Sequence, residues 1–388
     1  MKKEKTPNIR FKKFEHNWFK DCLSKVSNSI EYGLNAPAKD FDGIHKYLRI
    51  TDIDDSSRLF LTDKLSSPDV NFTEEDYENY KLQINDLLFA RTGASVGKTY
   101  LYRESDGEVY YAGFLIRARL HDSYDGNFIF QQTLTDKYKQ FIEITSQRSG
   151  QPGVNGKEYG DWKIGITFYP EQSAIGSLFR TLDDLLSSYK DNLANYKSLK
   201  ATMLSKMFPK VGQRVPEIRL DGFEGEWERK NLSEGCNINS GRDYKHLKDG
   251  DIPVYGTGGY MLSVNDKLSD EDAIGIGRKG TIDKPYLLSA PFWTVDTLFY
   301  VTCKVGYDLY YLFLIFQKVR WKKFDESTGV PSLSKKTIEK VVSKFPSLPE
   351  QQAIGAYFSN LDNLINSHQE KISQLETLKK KLLQDMFI

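Results

Sequence analysis

Tyr169 to Phe208 reads YPEQSAIGSLFRTLDDLLSSYKDNLANYKSLKATMLSKMF, and Leu348 to Phe387 reads LPEQQAIGAYFSNLDNLINSHQEKISQLETLKKKLLQDMF. Aligned without a gap, sixteen of these forty positions are identical. A duplicated segment is read before any other feature because it fixes the architecture. Here it divides the chain into two similar halves. Pro170 and Pro349 stand where a helix accepts proline, in its first turn, and Glu171 and Glu350 follow at the positive helix end. Apolar residues then recur every three or four positions: Phe179, Leu182, Leu186, Tyr189, Leu193 and Tyr196. The later copy offers Phe358, Leu361, Ile365, Ile372, Leu375 and Leu382, with His368 as a tolerated polar position in the seam. Such a heptad stripe needs another helix against it. Pro209 ends the first helix.

The duplication continues outward from the helices. Gly150-Gln151-Pro152 precedes the first Pro-Glu-Gln at the same distance as Gly329-Val330-Pro331 precedes the second. PNIRFKKFEHNW (Pro7 to Trp18) matches PEIRLDGFEGEW (Pro216 to Trp227). Each half is therefore an opening segment, a variable body, a Gly-x-Pro stretch and a long helix. The first body is longer by about thirty residues. Ile84 to Ala90 and Leu298 to Val301 read as strands bounded by Gly, Asn and Asp, and Tyr138 to Ile144 and Leu309 to Val319 as short helices. The predicted class is α+β. Residues 1–168 and 216–347 are expected to be two mixed α/β domains, 169–208 and 348–388 two helical regions, and 209–215 a linker. So short a linker makes the second helix begin where the first stops, so the two are expected to run antiparallel. About 1.5 Å per residue gives a two-helix coiled coil of ~60 Å with one body at each end, related by a pseudo-two-fold axis.

Composition narrows the class. The chain has 388 residues, 13% of them aromatic, and a net charge of +1. The apolar run Tyr310 to Phe316 is far too short for a bilayer. Lys2, Lys3, Glu4 and Lys5 lead into no apolar stretch, so no secretory signal is read. Three scattered cysteines, Cys22, Cys236 and Cys303, form neither a disulfide framework nor a zinc site. A cytoplasmic protein without membrane contact is expected. The near-neutral charge argues against an unaided, high-affinity nucleic-acid binder, which is usually strongly basic. The five histidines (His16, His45, His121, His246, His368) are dispersed, so no catalytic residue and no metal site is assigned.

Several motifs imitate nucleotide-binding loops. Gly275-Ile276-Gly277-Arg278-Lys279-Gly280 fits G-x-G-x-x-G, but Thr281-Ile282-Asp283-Lys284-Pro285 follows it as strand or turn where phosphate binding needs a helix. Gly93-Ala94-Ser95-Val96-Gly97-Lys98-Thr99 is one residue short of a phosphate loop. Asp283-Lys284-Pro285-Tyr286 lacks the second proline of the amino-methyltransferase signature. The first two share a device: Arg-x-Gly after an apolar strand, at Arg91 and at Arg278, with Lys98 or Lys284 shortly behind. An arginine there suits the paired acceptors of guanine, while amides and lysines hold phosphate. The candidate DNA-contacting residues are Arg91, Thr92, Ser95, Lys98, Gln147, Arg148 and Gln151 in the first half. In the second they are Tyr255, Thr257, Arg278, Lys279, Lys284, Ser327 and Ser332. A tight turn with solvated charges is the plainer reading of the same loops.

The doubled Pro-Glu-Gln, the repeated Leu182-Asp183 and Leu361-Asp362, and the helix ends Met207-Phe208 and Met386-Phe387 carry a resemblance. With the Pro-x-Ile-Arg openings, the Gly-x-Pro stretches and two unlike bodies, nearly the whole chain resembles a specificity subunit of type I restriction–modification systems. The resemblance implies two target recognition domains reading a split, asymmetric double-stranded DNA site, with the helices fixing the gap. It implies two methyltransferase subunits and restriction subunits as partners. It also implies adenine methylation with S-adenosylmethionine and ATP- and Mg-dependent restriction, those cofactors sitting on the partners and none on this chain. Competing readings are a nucleotide- or methyl-donor-binding enzyme, which calorimetry with those ligands distinguishes, and a coiled-coil protein–protein scaffold.

Overall fold

The computed structural model describes residues 6–147 and 150–388. It is a mixed α and β chain in two compact units, residues 1–191 with 370–388, and residues 192–369.

The first unit opens with strand Phe19–Cys22, which pairs antiparallel with Lys163–Ile166 just before the long helix Tyr169–Lys206. Between them lies a four-stranded antiparallel sheet in the order Ser27–Tyr32, Leu115–Leu120, Asp86–Ala90, Thr99–Leu101. Asp86–Ala90 is buried at every position: Leu87 to Ala90 are apolar, and the Asp86 carboxylate is paired with Arg119. Helix Gly126–Gln132 follows, its first turn capped by Asp125, whose carboxylate accepts from the Phe128 amide. Residues 33–82 add an antiparallel pairing of Ala38–Asp40 with Ser66–Pro68, and Lys46–Leu48 pairs parallel with Val109–Tyr111, as Val254 and Tyr255 pair with Trp293 and Thr294 in the second unit.

The second unit runs through the same order. Glu228–Asn231 pairs antiparallel with Val342–Phe345 before the long helix Leu348–Asp385. Its four-stranded sheet is Cys236–Ser240, Leu298–Cys303, Ala273–Gly277, Tyr286–Leu288, so the first, fourth, second and third strands are neighbours, as in the first unit. Helix Leu309–Lys318 is capped by Asp308 through the Tyr311 amide. A hairpin of Asp249–Gly256 with Gly259–Val264 replaces the first unit's inserted pairings. The expected strands and short helices are present, at Asp86–Ala90, Leu298–Cys303, Asp136–Thr145 and Leu309–Lys318.

Each unit closes its core with the start of one long helix and the end of the other. In the first, Phe179, Leu182 and Leu186 meet Leu375, Met386 and Phe387 around Trp18 and Phe128. Tyr189, Ile372 and Leu382 pack at its edge. In the second, Phe358 and Leu361 meet Met207 and Phe208 around Trp227 and Tyr311, with Tyr196 alongside. Ile365 is also buried, while Leu193 is half-buried. The start and end segments are antiparallel within each unit. Asp183 meets Lys379 and Lys190 meets Glu376 in the first, and Tyr196 meets His368 and Lys200 meets Asp362 in the second. His368 is thus a seam residue against an aromatic ring. Met-Phe, the repeated pair at each helix end, is an anchor: burying one phenylalanine contributes about 1.5–3 kcal/mol.

Candidate nucleic-acid interface

The two Arg-x-Gly turns are held by one hydrogen-bond frame. In the first unit the Arg91 amide donates to Phe114 O (3.1 Å), Gly93 N donates to Pro152 O (3.0 Å), and Val154 N donates to Arg91 O (2.9 Å). In the second the Arg278 amide donates to Thr297 O (2.8 Å), Gly280 N to Pro331 O (2.8 Å), and Leu333 N to Arg278 O (3.0 Å). Gly93 and Gly280 sit at φ +75° and +88°, a region that side-chain-bearing residues rarely adopt, which is why glycine ends the triplet. The Gly-x-Pro stretches singled out in the sequence are therefore the other half of this frame. They fix the loop backbone and leave the side chains free to differ.

The side chains do differ. Arg91 lies over Tyr32 and Phe114, its guanidinium carbon 5.1 and 5.8 Å from the ring centres. Arg278 lies 5.9 Å over Phe299 and reaches Asp296 O at 3.5 Å. Thr92 joins the frame through its bridge to Gly153, and Gln151 stands over Gly93, its amide nitrogen 3.0 Å from where a Cβ would be. In the second unit Lys279 bridges to Ser332, and Thr257, at the hairpin tip, is a near neighbour of Gly280. Tyr255 packs between Tyr260 and Tyr286. Arg91, Thr92 and Gln151 thus form one cluster, and Thr257, Arg278, Lys279 and Ser332 another.

Other expected residues fall elsewhere. Lys98 is a correction: it is buried, with Nζ 3.1 Å from Ile53 O and 2.5 Å from Asp55, so it faces inward and not toward a phosphate. Ser95 lines a cleft on the side of Lys98. Ser327 is tied within its own loop, its hydroxyl donating to Val330 O at 2.5 Å. Lys284 and Gln147 are exposed apart from the two frames, and Arg148 lies outside the described residues. Sequence reading missed Tyr32, Phe114 and Phe299. The aromatic in Ala112-Gly113-Phe114 is a weak signal, because nothing local says that it meets an arginine.

The nucleotide-binding imitations end here. Gly93–Ser95 is a single 3-10 turn, and Gly275–Gly280 runs off a strand into a turn with no helix behind it. The cleft in the first unit, about 1230 Å³, is lined by the Asp54–Asp63 segment, Ser95–Lys98, Tyr138, Asp183 and Lys379. Its lining holds seven basic and seven acidic side chains, so it is no electrostatic funnel for phosphate. Cys236 and Cys303 face each other across paired strands, and burial pushes their thiols up to about 12 and about 11, which keeps them protonated and un-nucleophilic near neutrality. Among the described residues no cluster of three or more His, Cys, Asp or Glu is placed to hold a metal ion. None of their helices is long and apolar enough to cross a membrane.

Residues 224–377 match the type I restriction modification DNA specificity domain. Two relatives from Methanocaldococcus jannaschii align over most of both chains. The type I restriction enzyme MjaVIII specificity subunit is 21% identical over 89% of this chain and 85% of its own length. The putative type I restriction enzyme MjaX specificity subunit is 21% identical over 94% and 90%. By this partial domain match and these two relatives, the chain is similar to type I restriction–modification specificity subunits. The fold is similar to that of the S subunit of the type I restriction–modification system from M. genitalium, which superposes with a TM-score of 0.73 over 99% of both chains, at 17% identity. At that identity the superposition speaks for the fold alone.

Proposed function

We propose that this chain is the DNA-recognition subunit of a type I restriction–modification complex and reads a split, asymmetric target with two heads, one in each unit. The observation that carries this reading is the repeated Arg-x-Gly frame: the backbone hydrogen bonds are alike and the side chains on them are not. A common frame with exchangeable side chains is what two heads of different specificity need. Base edges are read by side chains, while the backbone sets their register on the duplex.

The chain itself is non-catalytic in this reading. Methyltransferase subunits bring S-adenosylmethionine and modify adenine, and restriction subunits bring ATP-driven, Mg-dependent cleavage in the cytoplasm. Such partners also account for a DNA reader of net charge +1, since they supply much of the phosphate clamp. The long helices form the antiparallel pair that sets the unread gap. Support comes from the antiparallel ion pairs within each unit and from the matching strand order.

Replacing residues 23–162 by the corresponding body of a family member with another target is the decisive experiment. Sequencing the methylated sites in cells carrying the complex should show one half of the target changed and the other half retained. An unchanged site would end the two-head reading.

A further inference from the structure

We propose that Arg91, held against Tyr32 and Phe114, reads a guanine in the half-site of the first unit, with Phe114 against the methyl group of an adjoining thymine. The inference rests on the DNA-recognition reading above and adds which base chemistry this head demands.

Three observations converge on Arg91. Among the described residues its guanidinium makes no hydrogen bond and no ion pair, although arginines of the neighbouring strand are neutralised. Arg117 is paired with Glu31, and Arg119 holds Asp86 through two bonds of 2.8 and 2.9 Å. Its Nε is buried without an acceptor. An unsatisfied buried donor calls for an explanation, and here the explanation is the stack of two rings around the stem of the fork. That stack holds the guanidinium plane in place before any ligand arrives and leaves the two terminal nitrogens to donate end-on. The backbone beneath is pinned on both sides by Phe114 O and Val154 N.

The acceptor that suits such a fork is a planar pair of lone pairs. In the major groove that pair is guanine O6 and N7. Phosphate oxygens also match the fork, but the rings argue against them. Phe114 is 61% exposed and Tyr32 44% exposed, which leaves two apolar faces in water beside the free donors. At the hydrated phosphate rim an exposed phenyl ring gains nothing. At the base edges it meets the thymine 5-methyl, the one apolar group that the major groove displays. The second unit has Thr297 where the first has Phe114, and its Arg278 is drawn toward Asp296 O, so the pairing belongs to the first head only.

The test uses the assembled methyltransferase complex and the target found by methylation sequencing. Within the first head's half-site, each guanine is replaced in turn by 7-deazaguanine and each thymine by uracil. One guanine substitution should weaken specific binding by ~10- to 100-fold, and the thymine beside it should cost ~3-fold or more on losing its methyl. In the Arg91→Ala complex the deazaguanine penalty should vanish, and in Phe114→Ala the uracil penalty should vanish, with the other half-site read as before. Should Arg91→Ala fail to assemble, Arg91→Lys and the base scan on the unaltered complex still decide. A half-site with no sensitive guanine overturns the proposal. So does a loss in Arg91→Ala that is uniform across sequences and lowers the salt slope by about 1, the signature of a phosphate contact. Failure of the unaltered complex to prefer any sequence would instead remove the recognition reading beneath it.

Discussion

The carboxylates of Glu171 and Glu350 show how a repeated helix start becomes a lock. Glu171 is fully buried and takes two bonds from Arg10, at 2.6 and 2.8 Å, with the Trp18 indole and the Thr167 hydroxyl completing its shell. Glu350 takes two from Arg219, at 2.8 and 2.7 Å. The bond to Glu171 also raises Arg10 above its ordinary value, so the guanidinium keeps its charge. A buried ion pair contributes little net stability, because desolvation offsets attraction, but removing one partner strands a charge. Arg10→Ala should therefore cost about 3–5 kcal/mol in the first unit, and Arg219→Ala a similar amount in the second, measured by denaturant unfolding. A double Arg10→Met/Glu171→Gln variant should recover part of that loss. If Arg10→Ala were neutral, the lock would be a surface ion pair and nothing more.

At the scale of elements, a glycine in each long helix is set against its expected role. Replacing a helical glycine by alanine usually gains about 1 kcal/mol in propensity. Here a Cβ on Gly176 would lie 2.3 Å from Asp125 Oδ1, and one on Gly355 would lie 2.5 Å from Asp308 Oδ1. Those aspartates are the N-caps of the helices packed alongside, and a lost cap costs ~1 kcal/mol before any strain is added. Overpacking adds about 1–3 kcal/mol, so crowding outweighs propensity. Gly176→Ala and Gly355→Ala should each lower stability by ~1–3 kcal/mol in thermal or chemical unfolding, whereas Ser177→Ala, on the exposed side of the same turn, should be neutral. Stabilisation by Gly176→Ala would mean that the two helices sit further apart than described.

For the whole molecule, the proposed function makes helix length a measure of target spacing. Seven residues added to each long helix keep the heptad phase and lengthen the pair by about 10 Å, or about three base pairs. Methylation sequencing should then find both half-sites intact with the unread gap longer by that amount; an unchanged gap would separate the helices from spacing. The sequence by itself determined the two long helices, their Pro-Glu starts, the seam and the paired Arg-x-Gly turns, because heptad period, turn chemistry and duplication are local patterns. It also marked the Gly-x-Pro stretches without saying why they recur; only the folded chain makes them partners of the arginine turns. Tertiary structure alone decided which side chains are free. Lys98 was turned inward to Ile53 O and Asp55, Tyr32 at a strand end and Phe114 in a turn were brought onto Arg91, and Phe387 was placed beside Trp18 and Phe128. The reason is sheet register. Which residues face one another across strands far apart in sequence depends on loop lengths and pairings that no single segment encodes.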